Sequence, residues 1–82
     1  MKHAGRDALE TLGDLLVNLR ARTGLVEKRS GIFYVKGRAF LHFHEDAAGL
    51  FADLRVSAEW ERFRVSEADE RTTFLATVER SL

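Results

Sequence analysis

The sequence has 82 residues, in which 13 basic and 13 acidic side chains cancel and cysteine is absent. The lack of cysteine excludes disulfides and thiolate metal sites and fits a cytoplasmic protein. The balanced charge argues against a general nucleic-acid binder, and no apolar run approaches the ~18 residues of a membrane-spanning helix. We therefore expect a single domain, residues 1–82, in the cytoplasm.

The first predicted element is an amphipathic helix. Its apolar positions recur at steps of three and four residues and are Leu9, Leu12, Leu15, Leu16 and Leu19. Asp7 and Glu10 resemble a capping pair at its start, and Gly24 is the expected C-terminal cap. Gly13 lies inside this helix, where glycine costs ~1 kcal/mol relative to alanine.

The middle of the chain changes to the alternating pattern of β-strands. Lys36 and Gly37 separate two β-rich runs and predict a two-residue hairpin turn. A longer turn is expected at 45–49 and a short break at 57–59. The predicted strands are 31–36, 38–44, 50–56 and 60–65, joined as an antiparallel meander.

The last predicted element is a second helix. Ser66 is the expected N-cap, and acidic residues follow it in the first turn. The apolar stripe consists of Phe74, Leu75, Val78 and Leu82. The sequence thus predicts an α+β fold in which a four-stranded antiparallel meander is flanked by an N-terminal and a C-terminal helix, in the order α-β-β-β-β-α.

The tightest registers decide which side chains share a sheet face. They pair Val35 with Arg38, His44 with Leu50, and Val56 with Trp60. One face then carries the expected interface or ligand-binding residues: Phe33, Phe40, His42, His44, Leu54, Trp60, Arg62 and Arg64. The other face is also apolar, and two helices cover roughly one face of four strands. Either the helices split, one to each face, or a second chain covers one face. We favour a second copy that covers the first face, termed the mixed face, and forms a homodimer.

His42 and His44 form the main candidate site for a metal. Their Cα atoms should lie ~6.5–7 Å apart on one face, a spacing at which two imidazoles can bind one Zn or Fe ion. Glu45, Asp46 or His3 could supply further ligands, whereas Asp53 is expected on the opposite face. The favoured alternative is that the two imidazoles line an interface and bind no cofactor.

These patterns favour a small non-catalytic protein that self-associates through its sheet. A metal-binding or metal-dependent protein that uses residues 42–46 is the alternative. A second alternative is binding of a small anion or single-stranded nucleic acid by a sheet face that carries Phe40, Trp60, Arg62 and Arg64. Nucleic acid is disfavoured because the net charge is zero, and no serine lies in the context of a catalytic nucleophile.

Overall fold

The structure is a computed structural model that describes residues 2–82. Its elements are β1 (Lys2–His3), α1 (Arg6–Thr11), α2 (Gly13–Arg20), β2 (Val26–Arg29), β3 (Ile32–Val35), β4 (Arg38–Asp46), β5 (Gly49–Val56), β6 (Glu59–Arg64) and α3 (Ala68–Ser81). The α+β class is confirmed, with a helical segment on each side of the main meander. The part of the chain described here contains six strands, two more than the sequence predicts.

The sheet is antiparallel, with strand order β2-β3-β4-β5-β6. The short strand β1 pairs with the second half of β4, placing His3 opposite His44. The first half of β4 pairs with β3. The N-terminus therefore extends the sheet beyond the end of β3, beside the histidines of β4.

All three helices pack on one face of this sheet. Helix α2 contributes Leu15, Leu16 and Leu19 to the core, and α3 contributes Phe74 and Val78. The sheet residues of the same buried cluster are Phe33, Phe40, Leu41, Phe43, Ala52 and Leu54. The fold is thus two layers, with helices on one side and an uncovered sheet face on the other.

The first helical segment is interrupted, and its expected caps are not used. Leu12 separates α1 from α2, with a ψ of 7° that departs from helical geometry. Neither helix has a side-chain cap, so the predicted capping role of Asp7 and Glu10 is wrong. The C-cap of α2 is Ala21, and Gly24 lies beyond it with a φ of +95°.

Helix α3 begins one residue later than the sequence predicts. Its N-cap is Glu67, which forms a reciprocal capping box with Glu70. Ser66 instead accepts a hydrogen bond from the Leu50 amide through Oγ, at 2.9 Å. The serine therefore ties the start of β5 to the end of β6.

Two hairpin registers differ from the sequence prediction. Val35 pairs with Arg38 as predicted, but His44 pairs with Phe51 and Val56 pairs with Glu59. The reason is that both later turns are tight. Ser57 and Ala58 adopt positive φ values of 50° and 76°, which two-residue hairpin turns use. Each register moves by one residue, and in a sheet this transfers side chains to the opposite face.

A further register shift lies between β3 and β4. Phe33 pairs with Leu41 and Tyr34 pairs with Ala39, so Phe40 is an extra residue in β4. Such an insertion disrupts the strict alternation of side chains between faces. Phe40 accordingly belongs to the buried core.

Candidate metal centre on the open sheet face

The sheet face opposite the helices is termed the open face. Register and alternation assign to it His3, His42, His44, Phe51, Asp53, Arg55, Trp60, Arg62 and Arg64. Most of these side chains are polar or charged. The open face is therefore a largely polar surface rather than an apolar one.

Three histidines converge at the centre of the open face. One ring nitrogen from each of His3, His42 and His44 lies within 4.8 Å of the corresponding nitrogen of the others. The closest pair is His42 Nδ1 and His44 Nε2, which are 2.7 Å apart. Strand β4 provides two of the rings because residues two apart share a face, and β1 provides the third by pairing opposite His44.

Asp53 lies beside His42 and His44. It pairs directly with His42 across β4 and β5, and only 8 % of the residue is exposed. Its Oδ2 atom is 3.0 Å from His44 Nε2 and 4.0 Å from His42 Nδ1. A buried carboxylate therefore approaches the imidazole nitrogens of His42 and His44.

Arg62 holds Asp53 in this position. Its Nε donates to Oδ1 at 2.7 Å and its Nη2 donates to Oδ2 at 2.9 Å, a two-pronged ion pair. This hydrogen bonding is the main reason why the pKa of Asp53 is lowered from 3.8. Asp53 is consequently ionised at neutral pH.

His42 is biased toward its neutral form. Burial is the largest cause that lowers its pKa below 6.5, followed by the electrostatic effect of His44. Asp53 acts in the opposite direction and raises the pKa of His42, without reversing the shift. An uncharged His42 beside an ionised Asp53 presents lone pairs that a cation can accept, since metal ligands must be deprotonated.

His44 makes its polar contacts through one side of its ring. Its Nε2 atom faces His42 and Asp53, whereas Nδ1 is buried without a hydrogen-bond partner among the described residues. The side chain is 12 % exposed, so solvent has little access to the ring. The atom available for coordination is therefore Nε2.

Trp60 and Arg55 form one wall of the cluster. The Trp60 ring centroid is 4.8 Å from that of His42, and the Arg55 guanidinium is 4.4 Å from the Trp60 ring. Arg55 Nε also donates to the Ala39 carbonyl at 2.8 Å. These contacts fix the indole against His42 and limit the directions from which solvent reaches it.

The spacing of these ligand atoms is close to that of a four-coordinate metal site. Bonds of ~2.0–2.1 Å in a tetrahedron place neighbouring ligand atoms ~3.3–3.4 Å apart. The three distances among His42 Nδ1, His44 Nε2 and Asp53 Oδ2 are 2.7, 3.0 and 4.0 Å. These three distances lie within ~0.7 Å of the tetrahedral spacing, and His3 joins His42 and His44 in a histidine group whose ligand atoms lie within 4.8 Å of one another.

The two acidic residues expected from sequence to join the histidines have other roles. Glu45 points away from the open face and accepts a hydrogen bond from the Gly5 amide at 2.5 Å, at the start of α1. Asp46 accepts from the Ala48 amide at 2.8 Å and stabilises the β4–β5 turn. Neither belongs to the group of side chains that converges around His44.

Three residues expected on the mixed face lie in the core instead. Phe33 and Leu54 are fully buried beneath the helices, and Phe40 is nearly so. Phe40 changes face because of the insertion in β4, and Leu54 because the β4–β5 register is shifted by one residue. The expected placement of Phe33, Phe40 and Leu54 on the mixed face is therefore wrong.

The remaining expected residues stay on the open face. His42, His44, Trp60 and Arg62 lie together around Asp53. Arg64 lies farther along β6, where its guanidinium contacts Glu70 at 3.0 Å and the Ala48 carbonyl at 3.2 Å. Arg64 thus serves the boundary between β6 and α3 rather than the histidine cluster.

Asp53 is the residue of the candidate site that sequence reasoning misplaced. The prediction put it on the opposite face because a long turn was assumed at 45–49. A two-residue turn at Ala47 and Ala48 pairs His42 with Asp53 directly. The change from acidic residues to Ala47 and Ala48 after β4 is the signal that could have predicted a two-residue turn. That turn places Asp53 on the same face as His42.

Comparisons with protein-family models, with curated proteins and with solved structures gave no match to this chain. Within residues 2–82, no helix combines the length and apolar character needed to cross a membrane. The candidate site is therefore described by its own residues, which are three imidazoles and one carboxylate on the sheet.

Proposed function

We propose that this protein binds a divalent first-row transition metal through His3, His42 and His44, with Asp53 as the fourth ligand. The supporting observation is the convergence of three imidazole nitrogens within 4.8 Å of one another beside a buried carboxylate. Imidazole and carboxylate ligands suit Zn²⁺ and also accept Co²⁺, Ni²⁺ and Fe²⁺. Zn²⁺ is the first choice because it favours four ligands in a tetrahedron.

The proposed role of the metal is structural. Four protein ligands leave no coordination position for a substrate, which is the pattern of structural rather than catalytic zinc sites. The protein is accordingly proposed to be non-catalytic. A cytoplasmic location remains part of this proposal and is supported by the absence of cysteine.

Metal titration of the untagged protein tests this function. Co²⁺ is added to chelator-treated protein, and visible absorption reports tetrahedral coordination. We expect His44→Ala and His3→Ala to weaken binding by at least ~100-fold, beyond the ~10–100-fold typical of losses outside the ligand set. His3 is exposed, so its replacement leaves the core intact.

Asp46→Asn is the matched control for this titration. Asp46 lies on the same strand as the histidines, and asparagine retains an oxygen that can accept the hydrogen bond from Ala48. Unchanged affinity in this variant together with loss in His3→Ala supports the site. Absence of Co²⁺ binding, or equal affinity in His3→Ala and His44→Ala and the native protein, would refute it.

Self-association through the sheet, which the sequence favours, remains an untested prediction that the structure supports less well. The prediction depended on a contiguous apolar face of the sheet. In the structure Asp53, Arg55 and Arg62 lie on the open face. Trp60, 43 % exposed, is the large apolar side chain of the open face that remains accessible. We therefore do not retain the open face as the dimer surface.

The anion and nucleic-acid alternatives also lose support. Arg62 and Arg64, which would have bound phosphate groups, are paired with Asp53 and Glu70. Net charge is zero, so no long-range attraction for polyanions compensates for breaking these pairs. Metal binding is the function that the geometry favours.

A further inference from the structure

The two oxygens of the Asp53 carboxylate have different neighbours. Oδ2 lies 3.0 Å from His44 Nε2 and 4.0 Å from His42 Nδ1. Oδ1 accepts a hydrogen bond from Arg62 Nε at 2.7 Å, and Arg62 Nη2 donates to Oδ2 at 2.9 Å. Oδ2 is therefore the oxygen directed at the imidazoles, while the guanidinium spans both oxygens.

The guanidinium occupies the place that a chelating metal ion would need. The paired hydrogen bonds from Nε and Nη2 hold the guanidinium in front of both carboxylate oxygens. A metal ion bound by both oxygens of one carboxylate lies in that same position. With Arg62 in place, Asp53 can therefore offer a metal ion only one oxygen, Oδ2.

The sheet and the chemistry of arginine keep this pair together. Arg62 lies directly opposite Asp53 in the register of β5 and β6. The planar guanidinium matches both oxygens of a carboxylate at once, which a lysine ammonium cannot do. Asp53 is buried, so leaving its charge without a partner would be costly. The pair is therefore a fixed feature of the open face.

We propose that Arg62 is a specificity-determining residue of the metal site, which restricts Asp53 to one coordinating oxygen and so favours four-coordinate metal ions. This inference rests on the proposed function, because it assigns a role beside the ligands His3, His42, His44 and Asp53. Three imidazole nitrogens and one oxygen match the tetrahedral preference of Zn²⁺. Ni²⁺ favours tetragonal surroundings, toward which a chelating carboxylate would add a further ligand atom. Arg62 thus selects Zn²⁺ over Ni²⁺.

Competition between Zn²⁺ and Ni²⁺ for the untagged protein tests this role. In Arg62→Lys the ammonium keeps a positive charge beside Asp53 but cannot span both oxygens. We expect this variant to lower the ratio of Zn²⁺ affinity to Ni²⁺ affinity at least ~10-fold, an effect typical of groups that orient metal ligands. Its visible absorption with Co²⁺ should also weaken, because tetrahedral Co²⁺ absorbs more strongly than Co²⁺ with additional ligands.

Arg62→Gln provides a second variant that removes the two-pronged contact without retaining a charge. The Arg62 side chain is about half exposed, so either replacement leaves the core packing in place. A change in charge acts on both divalent ions alike, so the affinity ratio reports the geometry. We therefore expect Arg62→Gln to shift the ratio in the same direction as Arg62→Lys. Circular dichroism should show that both variants remain folded.

Arg64→Lys is the matched control. Arg64 lies two residues along the same strand and on the same face, but it pairs with Glu70 rather than with Asp53. It should leave the affinity ratio and the Co²⁺ spectrum unchanged, and shifts equal to those of Arg62→Lys would overturn the proposed role. An unchanged ratio and spectrum in both Arg62 variants would also overturn it, while leaving the metal site intact. Failure of the native protein to bind Co²⁺ would refute the proposed function and this role together.

Discussion

His42 shows how the open face prepares a side chain for coordination. The ring is partly buried between Trp60 and His44, and this environment lowers its pKa below 6.5. Asp53 alone would favour the charged imidazolium, but Arg62 donates a hydrogen bond to each of its oxygens and itself lowers the pKa of His42. The arginine thus keeps the carboxylate ionised while limiting its effect on the histidine.

A nuclear magnetic resonance pH titration of the metal-free protein measures the pKa of His42 and so tests these opposing effects. We expect the His42 ring protons to report a midpoint below 6.5, and Asp53→Asn to lower it further, because Asp53 raises the pKa of His42. Asp46→Asn serves as the control and should leave the midpoint in place. A midpoint above 6.5, or an upward shift in Asp53→Asn, would contradict this description.

The shifted pKa values of His42 and Asp53 make the free energy of unfolding decrease at acidic pH. Unfolded His42 binds a proton more readily than folded His42, so stability falls as pH drops below 6.5 toward the lower folded pKa. The contribution of Asp53 is present at higher pH and is lost as pH falls below 3.8. Both effects weaken the folded state in acid, in two separate pH ranges.

The length of each turn determines which side chains of a strand point toward the helices and which point to the open face. Strands β3 to β6 follow the predicted alternation closely enough for the antiparallel meander to be recognised from sequence. The faces were harder to predict, because a one-residue error at a turn transfers a whole strand to the other side. Leu54 and Asp53 exchanged their expected positions for this reason.

Other elements carried too little signal to be predicted. Strand β1 has two residues, and β2 reads Val-Glu-Lys-Arg, which lacks an apolar alternation. The insertion at Phe40 has no glycine or proline to mark it. His3 was named as a possible ligand, but its position depended on a strand that the sequence does not reveal.

Gly49 provides a test of the β4–β5 connection. It has a φ of +133°, and a Cβ there would collide with Ser66 Oγ and crowd the Arg64 guanidinium. We expect Gly49→Ala to destabilise the fold by ~1–3 kcal/mol more than Gly37→Ala, because overpacking adds to backbone strain. Urea unfolding of both variants measures the difference.

Gly37→Ala is the matched control because Gly37 also has a positive φ, of +80°, but open space surrounds its missing Cβ. Its cost reports the strain of alanine in a left-handed conformation alone. Equal destabilisation by the two substitutions would show that the Ser66 and Arg64 contacts do not constrain the turn.

At the scale of the whole molecule, the fold is a small two-layer domain with one uncovered sheet face. The α+β class and the flanking helices follow from periodicity, whereas the packing of all helices on one face does not. A chain of this size buries a limited fraction of its surface and gains little margin from its core. A bound metal would add stability by joining β1, β4 and β5.

Thermal unfolding with and without Zn²⁺ tests this contribution. At a free metal concentration of ~100 times the dissociation constant, binding adds ~2.7 kcal/mol, which corresponds to a rise in Tm of roughly 10–20 °C for a domain of this size. His44→Ala should lose most of this rise, while Val26→Glu should retain it. A similar rise in His44→Ala would show that zinc stabilises the fold elsewhere.

The position of Trp60 has a practical consequence. It is the single tryptophan of the sequence, and its ring lies 4.8 Å from that of His42. Indole fluorescence is quenched by a nearby protonated imidazole and by paramagnetic ions such as Cu²⁺ or Ni²⁺. Ultraviolet excitation of the unlabelled protein therefore gives an internal optical readout of protonation at His42 and of Cu²⁺ or Ni²⁺ binding at the proposed site.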